Sequence, residues 1–251
     1  LPDAKNRYVF TNDLGNISLH GLGSYGVIGN WSLASWLKVS RVAQTAPIWF
    51  PTVNSEGGDS TGPDPLPADP SLWSTLTHTL VSGYRGLIHH WEVLIEPNVN
   101  MSANNYLPIL QRCQSAIKAL DPSAHVYGLC VTSDMGGDMR KFVRESMVTL
   151  GAGKFMDALS FHPYTSGRPP EENLNGRYGV YARLRAEGVF TQALCQSEVG
   201  WETRCGHQAL ASRFFPPHTV VSALEGAAFV PRDMVIAKQY GVAKYFLFNG
   251  A

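Results

Sequence analysis

The chain has 251 residues, enough to bury a sizeable core and of a size for one large α/β domain. With 44% hydrophobic and 16% charged residues, 24 Gly and 16 Pro, its composition excludes a disordered or fibrous chain and describes a folded protein with many loops. Lys plus Arg and Asp plus Glu balance at 20 each with no basic stripe, which argues against nucleic acid as a partner, and no apolar run reaches the ~18 residues that suggest a membrane span.

The first residues, L-P-D-A-K-N-R-Y, lack the apolar segment of a signal peptide. A start at Leu1 reads as a processed product or an excised piece. Sequons at Asn16, Asn30 and Asn100 are little above chance in such a chain, so a secreted or extracytoplasmic location is only slightly favoured.

Residues 8–29 are expected to hold whatever remains of the first two strands. Over 32–44 the apolar positions Leu33, Trp36, Leu37, Val39 and Val42 lie on one helical face. The short apolar run P-I-W-F-P follows, and then a stretch over 55–70 so rich in Gly, Pro and Asp that it predicts a long surface loop. A helix from Ser71 through Tyr84 leads into I-H-H-W-E-V-L-I, a strand that stops at Glu96-Pro97.

After that point the alternation repeats. Helical patterns over 106–120, 140–150, 175–187 and 233–240 are followed by strands over 125–131, 156–164, 190–199 and 243–249. Strands alternating with helices predict parallel βαβ units with right-handed crossovers. No G-x-G-x-x-G follows a strand, so a dinucleotide-binding sheet loses its support and no cofactor is implied. The fold expected is a single α/β domain over residues 1–251, a (β/α)8 TIM barrel shortened or divergent in its first strands.

In such a barrel the active site lies at the C-terminal strand ends. This chain carries polar residues at those ends: Glu96-Pro97-Asn98, Asp134, His162-Pro163-Tyr164, Glu198 and Asn249. Strand alternation groups Glu92, Leu94 and Glu96 on one face, Leu194, Gln196 and Glu198 on another, and Ser160 with His162. If those faces line the barrel, Glu96 and Glu198 meet at its mouth, and two facing carboxyls are the reagents of glycoside hydrolysis. Their mainly apolar sequence neighbours would raise the pKa of one carboxyl, as a proton donor requires. Glu92, about one strand repeat or roughly 7 Å deeper, reads as a buried network residue.

The residues here carry a resemblance. W-E-V-L-I-E-P-N is similar to the W-E-x-x-N-E-P-N signature of the large clan of retaining glycoside hydrolases built on (β/α)8 barrels. M-D-A-L-S-F-H-P-Y-T resembles that clan's sixth strand, Q-S-E-V-G-W its seventh and Y-F-L-F-N-G its eighth, with xylosidase-like and cellulase-like members nearest. The resemblance implies a β-glycosidase acting with retention on a carbohydrate substrate, with Glu96 as general acid/base and Glu198 as nucleophile. It further implies that Asn98, His162 and Tyr164 line the cleft, with Tyr164 orienting Glu198, and that Trp201 is a sugar platform. Trp201 reads equally as a loop-packing aromatic and His162 as a structural histidine.

Two departures matter. Ile95 stands where the clan has an Asn that bonds the sugar 2-hydroxyl, and the arginine-bearing second strand is not visible. A glycosidase-like barrel that binds a glycan without turnover therefore stands as the alternative. Cys113, Cys130, Cys195 and Cys205 have no zinc-like spacing, so no metal site is expected and His162 is not read as a ligand; Cys195 and Cys205 could bridge one loop. Asp134 and Asp138 read as loop caps, and His89 and His90 face opposite ways. The sugar, the linkage and the oligomeric state are not written in the sequence.

Overall fold

The architecture is that of a computed structural model, which describes residues 9–10, 17–18, 48–49, 74, 77–78, 81–82, 85, 89–94, 96–132, 138–165, 167–201 and 220–247. Six strands form one parallel sheet in strict chain order: β3 (Ile48–Trp49), β4 (His90–Glu92), β5 (His125–Thr132), β6 (Ala158–His162), β7 (Ala193–Gln196) and β8 (Val242–Tyr245). The strands β1 (Val9–Phe10) and β2 (Ile17–Ser18) pair antiparallel with each other and do not join that sheet, unlike the barrel strands expected from residues 8–29.

The sheet curls. β4 and β8 are four strands apart, about 19 Å across a flat sheet at the usual strand spacing. Yet Lys244 Nζ of β8 lies 2.9 Å from His90 Nε2 of β4, closer than these side chains could come on a flat sheet. The two meet across the concave side, as residues of opposite strands do inside a barrel. The described strands thus make a partial barrel of the (β/α)8 kind, and the closed eight-stranded barrel is not completed among them.

Helices pack on the convex side. Helix α1 (Pro97–Asn100) and helix α2 (Ala103–Leu120) follow β4. Ser102 caps α2 by accepting from the Asn105 N–H, and the buried stripe Tyr106, Ile109, Leu110, Cys113 and Ile117 repeats at helical spacing. Helix α3 (Met139–Arg144) starts at Asp138, whose carboxylate accepts from Lys141 N–H, and runs on into a π-turn over Glu145–Thr149. Helix α4 (Tyr178–Ala186) precedes β7 and helix α5 (Ala223–Gln239) precedes β8.

The curl separates two interiors. Val126, Leu129, Val131, Leu159, Phe161 and Leu194 join the helices in one apolar core, whereas Tyr127, Cys130, Ala158 and Cys195 cluster separately with Phe246. Around that second cluster the concave side is polar, with His90, Glu92, Ser160, His162 and Lys244. Barrel interiors are ordinarily filled by branched apolar side chains, so this polarity marks the inside as more than packing.

Candidate active site

Glu96 reaches its place through irregular backbone. β4 ends at Glu92, and Leu94 and Glu96 then adopt left-handed conformations with φ of 63° and 45°. Strict alternation therefore fails: Glu92 is buried on the concave side, Leu94 enters the helix-side core, and Glu96 emerges in the cleft. The Glu96 N–H donates to the Cys130 carbonyl at 2.9 Å, which ties this turn to β5.

β5 carries a bulge of its own. Leu129 and Cys130 have φ of 71° and 38°, and its register with β6 shifts between Gly128 and Val131. The extra residue sends Leu129 to the helix side and turns Cys130 inward. Bulges strand backbone polar groups, and two side chains take these up. The Tyr106 hydroxyl accepts from the Leu129 N–H at 2.8 Å and donates to the Val93 carbonyl at 3.3 Å. Asn98 brackets Thr132, donating to its carbonyl at 2.8 Å and accepting from its N–H at 3.0 Å.

β6 supplies His162, fully buried and central. Its Nδ1 lies 2.8 Å from Glu96 Oε1 and 3.9 Å from Glu198 Oε2, while its Nε2 lies 3.1 Å from Ser197 Oγ and 3.2 Å from Cys130 Sγ. Just after β6, the Tyr164 hydroxyl donates to Glu198 Oε1. An oxygen of Glu96 and an oxygen of Glu198 lie within 4.8 Å of each other. The two carboxylate side chains are 18% and 11% exposed, so both are largely withdrawn from solvent without being sealed from it.

The face expected to carry Glu198 is the wrong one for Leu194 and Gln196. Leu194 lies in the helix-side core, and Gln196 accepts from the Tyr178 hydroxyl of α4. Glu198 turns into the cleft because β7 has already ended at Gln196. Behind β7 a buried network steadies this arrangement. Arg177 pairs with Asp233 at 3.1 Å and donates to the carbonyls of Pro163 and Pro170, gripping both sides of the loop that carries Tyr164.

The electrostatics follow from burial. Burial opposes a charged His162, yet the negative potential of its neighbours Cys130, Glu198 and Glu96 holds its pKa well above the ordinary value. Because burial also pushes the Cys130 thiol up to about 12, we assign the effect to the two carboxylates. Glu92 is pushed up to about 7 by burial, against the opposing influence of His162, Ser160, Ser197 and Cys130. Among the described residues, two sets of side chains offer converging metal-ligand atoms: Glu96, His162 and Glu198 at the mouth, and Glu92, Cys130 and His162 beneath it.

Among the residues singled out by sequence, Glu96, His162, Tyr164 and Glu198 are brought together. Asn98 lies beside them, but both ends of its amide are engaged by Thr132 and it is buried. Trp201 donates from Nε1 to Thr165 Oγ1 at 2.9 Å and to the Arg168 carbonyl at 3.0 Å, with its ring edge-on to Phe229. Cys195 is a free thiol buried on the concave side, and Cys205, the bridge partner considered for it from sequence, falls outside the described residues. Ile95, Asp134, Cys205 and Asn249, with the helix over 32–44 and the loop over 55–70, lie outside the described residues. Sequence reasoning missed Ser197 and Cys130; Ser197 was open to discovery as the neighbour of Glu198, whereas nothing in the sequence announces the bulge that turns Cys130.

Comparison with solved structures agrees with this fold. A family 39 glycoside hydrolase of the gut symbiont Bacteroides cellulosilyticus WH2 superposes with a TM-score of 0.63 at 15% identity, over 90% of this chain and 47% of its own. A glucosidase from Croceicoccus marinus gives 0.62 at 17% identity, over 88% and 46%. The family 53 catalytic domain of Ignisphaera aggregans gives 0.56 at 12% identity, over 87% and 68%. The chain thus spans about half the length of the first two. No family model and no curated protein matches it.

Proposed function

We propose that the chain is a retaining β-glycosidase, built as a single barrel domain, with a carbohydrate as its substrate. Glu198 attacks the anomeric carbon and forms a glycosyl-enzyme ester while Glu96 gives its proton to the departing oxygen. Glu96 then takes a proton from water, whose oxygen displaces Glu198 and restores both carboxyls. The observation that carries this reading is the spacing of the pair. Retaining enzymes hold their carboxyl groups about 5 to 5.5 Å apart and inverting ones about 6.5 to 9.5 Å. Closest oxygens within 4.8 Å of each other put both carboxyls in one cleft, in keeping with the shorter class.

The surrounding residues suit these roles. The Tyr164 hydroxyl orients Glu198 through Oε1, which makes Oε2 the attacking oxygen, and His162 keeps a proton-bearing ring against Glu96. Asn98 serves as a strut that fixes the turn after Glu96, in place of the sugar contact implied by the resemblance. Trp201, held by Thr165 and Arg168, offers the flat face on which a pyranose stacks. The solved structures it resembles are glycoside hydrolases, in keeping with this reading.

The test is a screen of aryl β-glycosides with the intact chain, followed by proton NMR of the first sugar released. Retention predicts the β-anomer at early times. Early appearance of the α-anomer would replace the mechanism by inversion, and glycan binding without turnover would favour the non-catalytic barrel.

A further inference from the structure

We propose that Glu92, Cys130 and His162 form a binding site for a thiophilic divalent cation of the zinc class, inside the barrel beneath Glu96. Three strands supply the set, with Glu92 from β4, Cys130 from the bulge of β5 and His162 from β6. A carboxylate oxygen, the Cys130 sulfur and a ring nitrogen of His162 all lie within 4.8 Å of one another, and Sγ and Nε2 are already 3.2 Å apart. Tetrahedral zinc with ordinary bond lengths sets such ligands about 3.3 to 3.6 Å apart, so no pair has to close by more than about 1.5 Å.

Glu92 supplies a second, independent observation. It is fully buried, and neither carboxylate oxygen receives a hydrogen bond of proper geometry, although Ser160, Ser197 and Cys130 face it. A buried carboxylate without firm donors is costly to keep, and a cation bound there removes that cost. Mixed sulfur, nitrogen and oxygen ligation selects zinc-class ions over magnesium or calcium, which take oxygen ligands.

The ring of His162 is also oriented as a zinc ligand would be. Metal-binding histidines give their other ring N–H to a carboxylate, which fixes the tautomer. Here Nε2 faces Cys130, and Nδ1 lies 2.8 Å from Glu96 Oε1. The mouth set of Glu96, His162 and Glu198 offers no sulfur, so the two locations are distinguishable by spectroscopy. Given the function proposed above, metal on Nε2 keeps the proton on Nδ1, holds Glu96 ionised as its acceptor and so inhibits hydrolysis.

The metal itself is the probe. The intact chain, stripped with chelator and reduced, is titrated with cobalt(II) and then back-titrated with zinc. Binding of one equivalent with an intense thiolate-to-cobalt absorption, displaced by zinc, is expected. Cys130→Ser, checked for folding by circular dichroism, should lose that absorption, and Glu92→Gln should weaken binding at least tenfold while keeping it. The Glu92→Gln arm decides the question should Cys130→Ser fail to fold. No binding at millimolar metal would overturn the proposal. So would a thiolate band that survives Cys130→Ser, or binding without such a band that is abolished by Glu198→Gln. None of these readouts needs a substrate, so the site stands or falls separately from hydrolysis.

Discussion

The hydroxyl of Tyr164 is bonded to Oε1 of Glu198, which leaves Oε2 on the side of His162. If Glu198 is the nucleophile, this bond steers the attacking oxygen and steadies the carboxylate when the ester breaks. Tyr164→Phe removes a hydrogen bond to a charged group, worth about 1.5 to 3 kcal/mol. The expected loss in kcat is about 10- to 100-fold, accompanied by a fall of a few degrees in melting temperature. Steady-state kinetics on an accepted aryl glycoside, beside a thermal melt, checks both.

Glu96 is expected to matter most where the leaving group needs a proton. Glu96→Ala should cripple substrates with poor leaving groups and spare activated aryl glycosides in the first step. Added azide should restore turnover and yield a glycosyl azide with retained configuration. Equal loss on both substrate types would mean that Glu96 serves the structure instead.

The Arg177–Asp233 pair lies entirely out of solvent and holds α5 against the loop that carries Tyr164. Removing one partner leaves the other charge buried, which costs about 3 to 5 kcal/mol. Asp233→Ala should therefore lower the urea midpoint severely. Glu171→Ala, which breaks an exposed pair with Arg232, should cost under about 1 kcal/mol in the same experiment.

Asp157 offers a pH test away from the cleft. Its carboxylate accepts from the Val126 N–H at 2.8 Å and from Lys118 at 3.0 Å. Burial acts against its ionisation, but these donors prevail and hold its pKa below the ordinary aspartate value. A carboxyl lowered in the folded state contributes stability above its unfolded pKa and loses it as pH falls through the folded one. Asp157→Asn should thus cost about 1 kcal/mol at neutral pH, a modest figure because the pair is partly exposed. That cost should shrink below about pH 4, near the unfolded value, and melts across that range would reveal it.

The parallel order of the strands was legible because each apolar run ends at a turn signal and each intervening helix keeps its 3.6-residue stripe. Glu96, His162 and Glu198 were legible for the same reason, since each stands at a strand end. The route by which two of them reach the cleft was not. Alternation assigns Glu198 to the face of Gln196, and the left-handed backbone at Leu94 and the bulge at Cys130 depend on partners such as Tyr106 that pattern alone does not reveal. Helix α5 begins ten residues before its expected start at 233, because Pro231 normally reads as a boundary. The capping box of Ser222 and Glu225 was the available signal. Ligands at positions 92, 130 and 162 show no metal spacing because three separate strands bring them together.

The most direct test of the account is chemical trapping of the nucleophile. The intact chain is incubated with an activated 2-deoxy-2-fluoro β-glycoside of the accepted sugar, and the digest is read by peptide mass spectrometry. The account predicts a fluoroglycosyl adduct on Glu198, within the peptide from Gln196 to Trp201. An adduct on any other residue, with Glu198 unmodified, would contradict it.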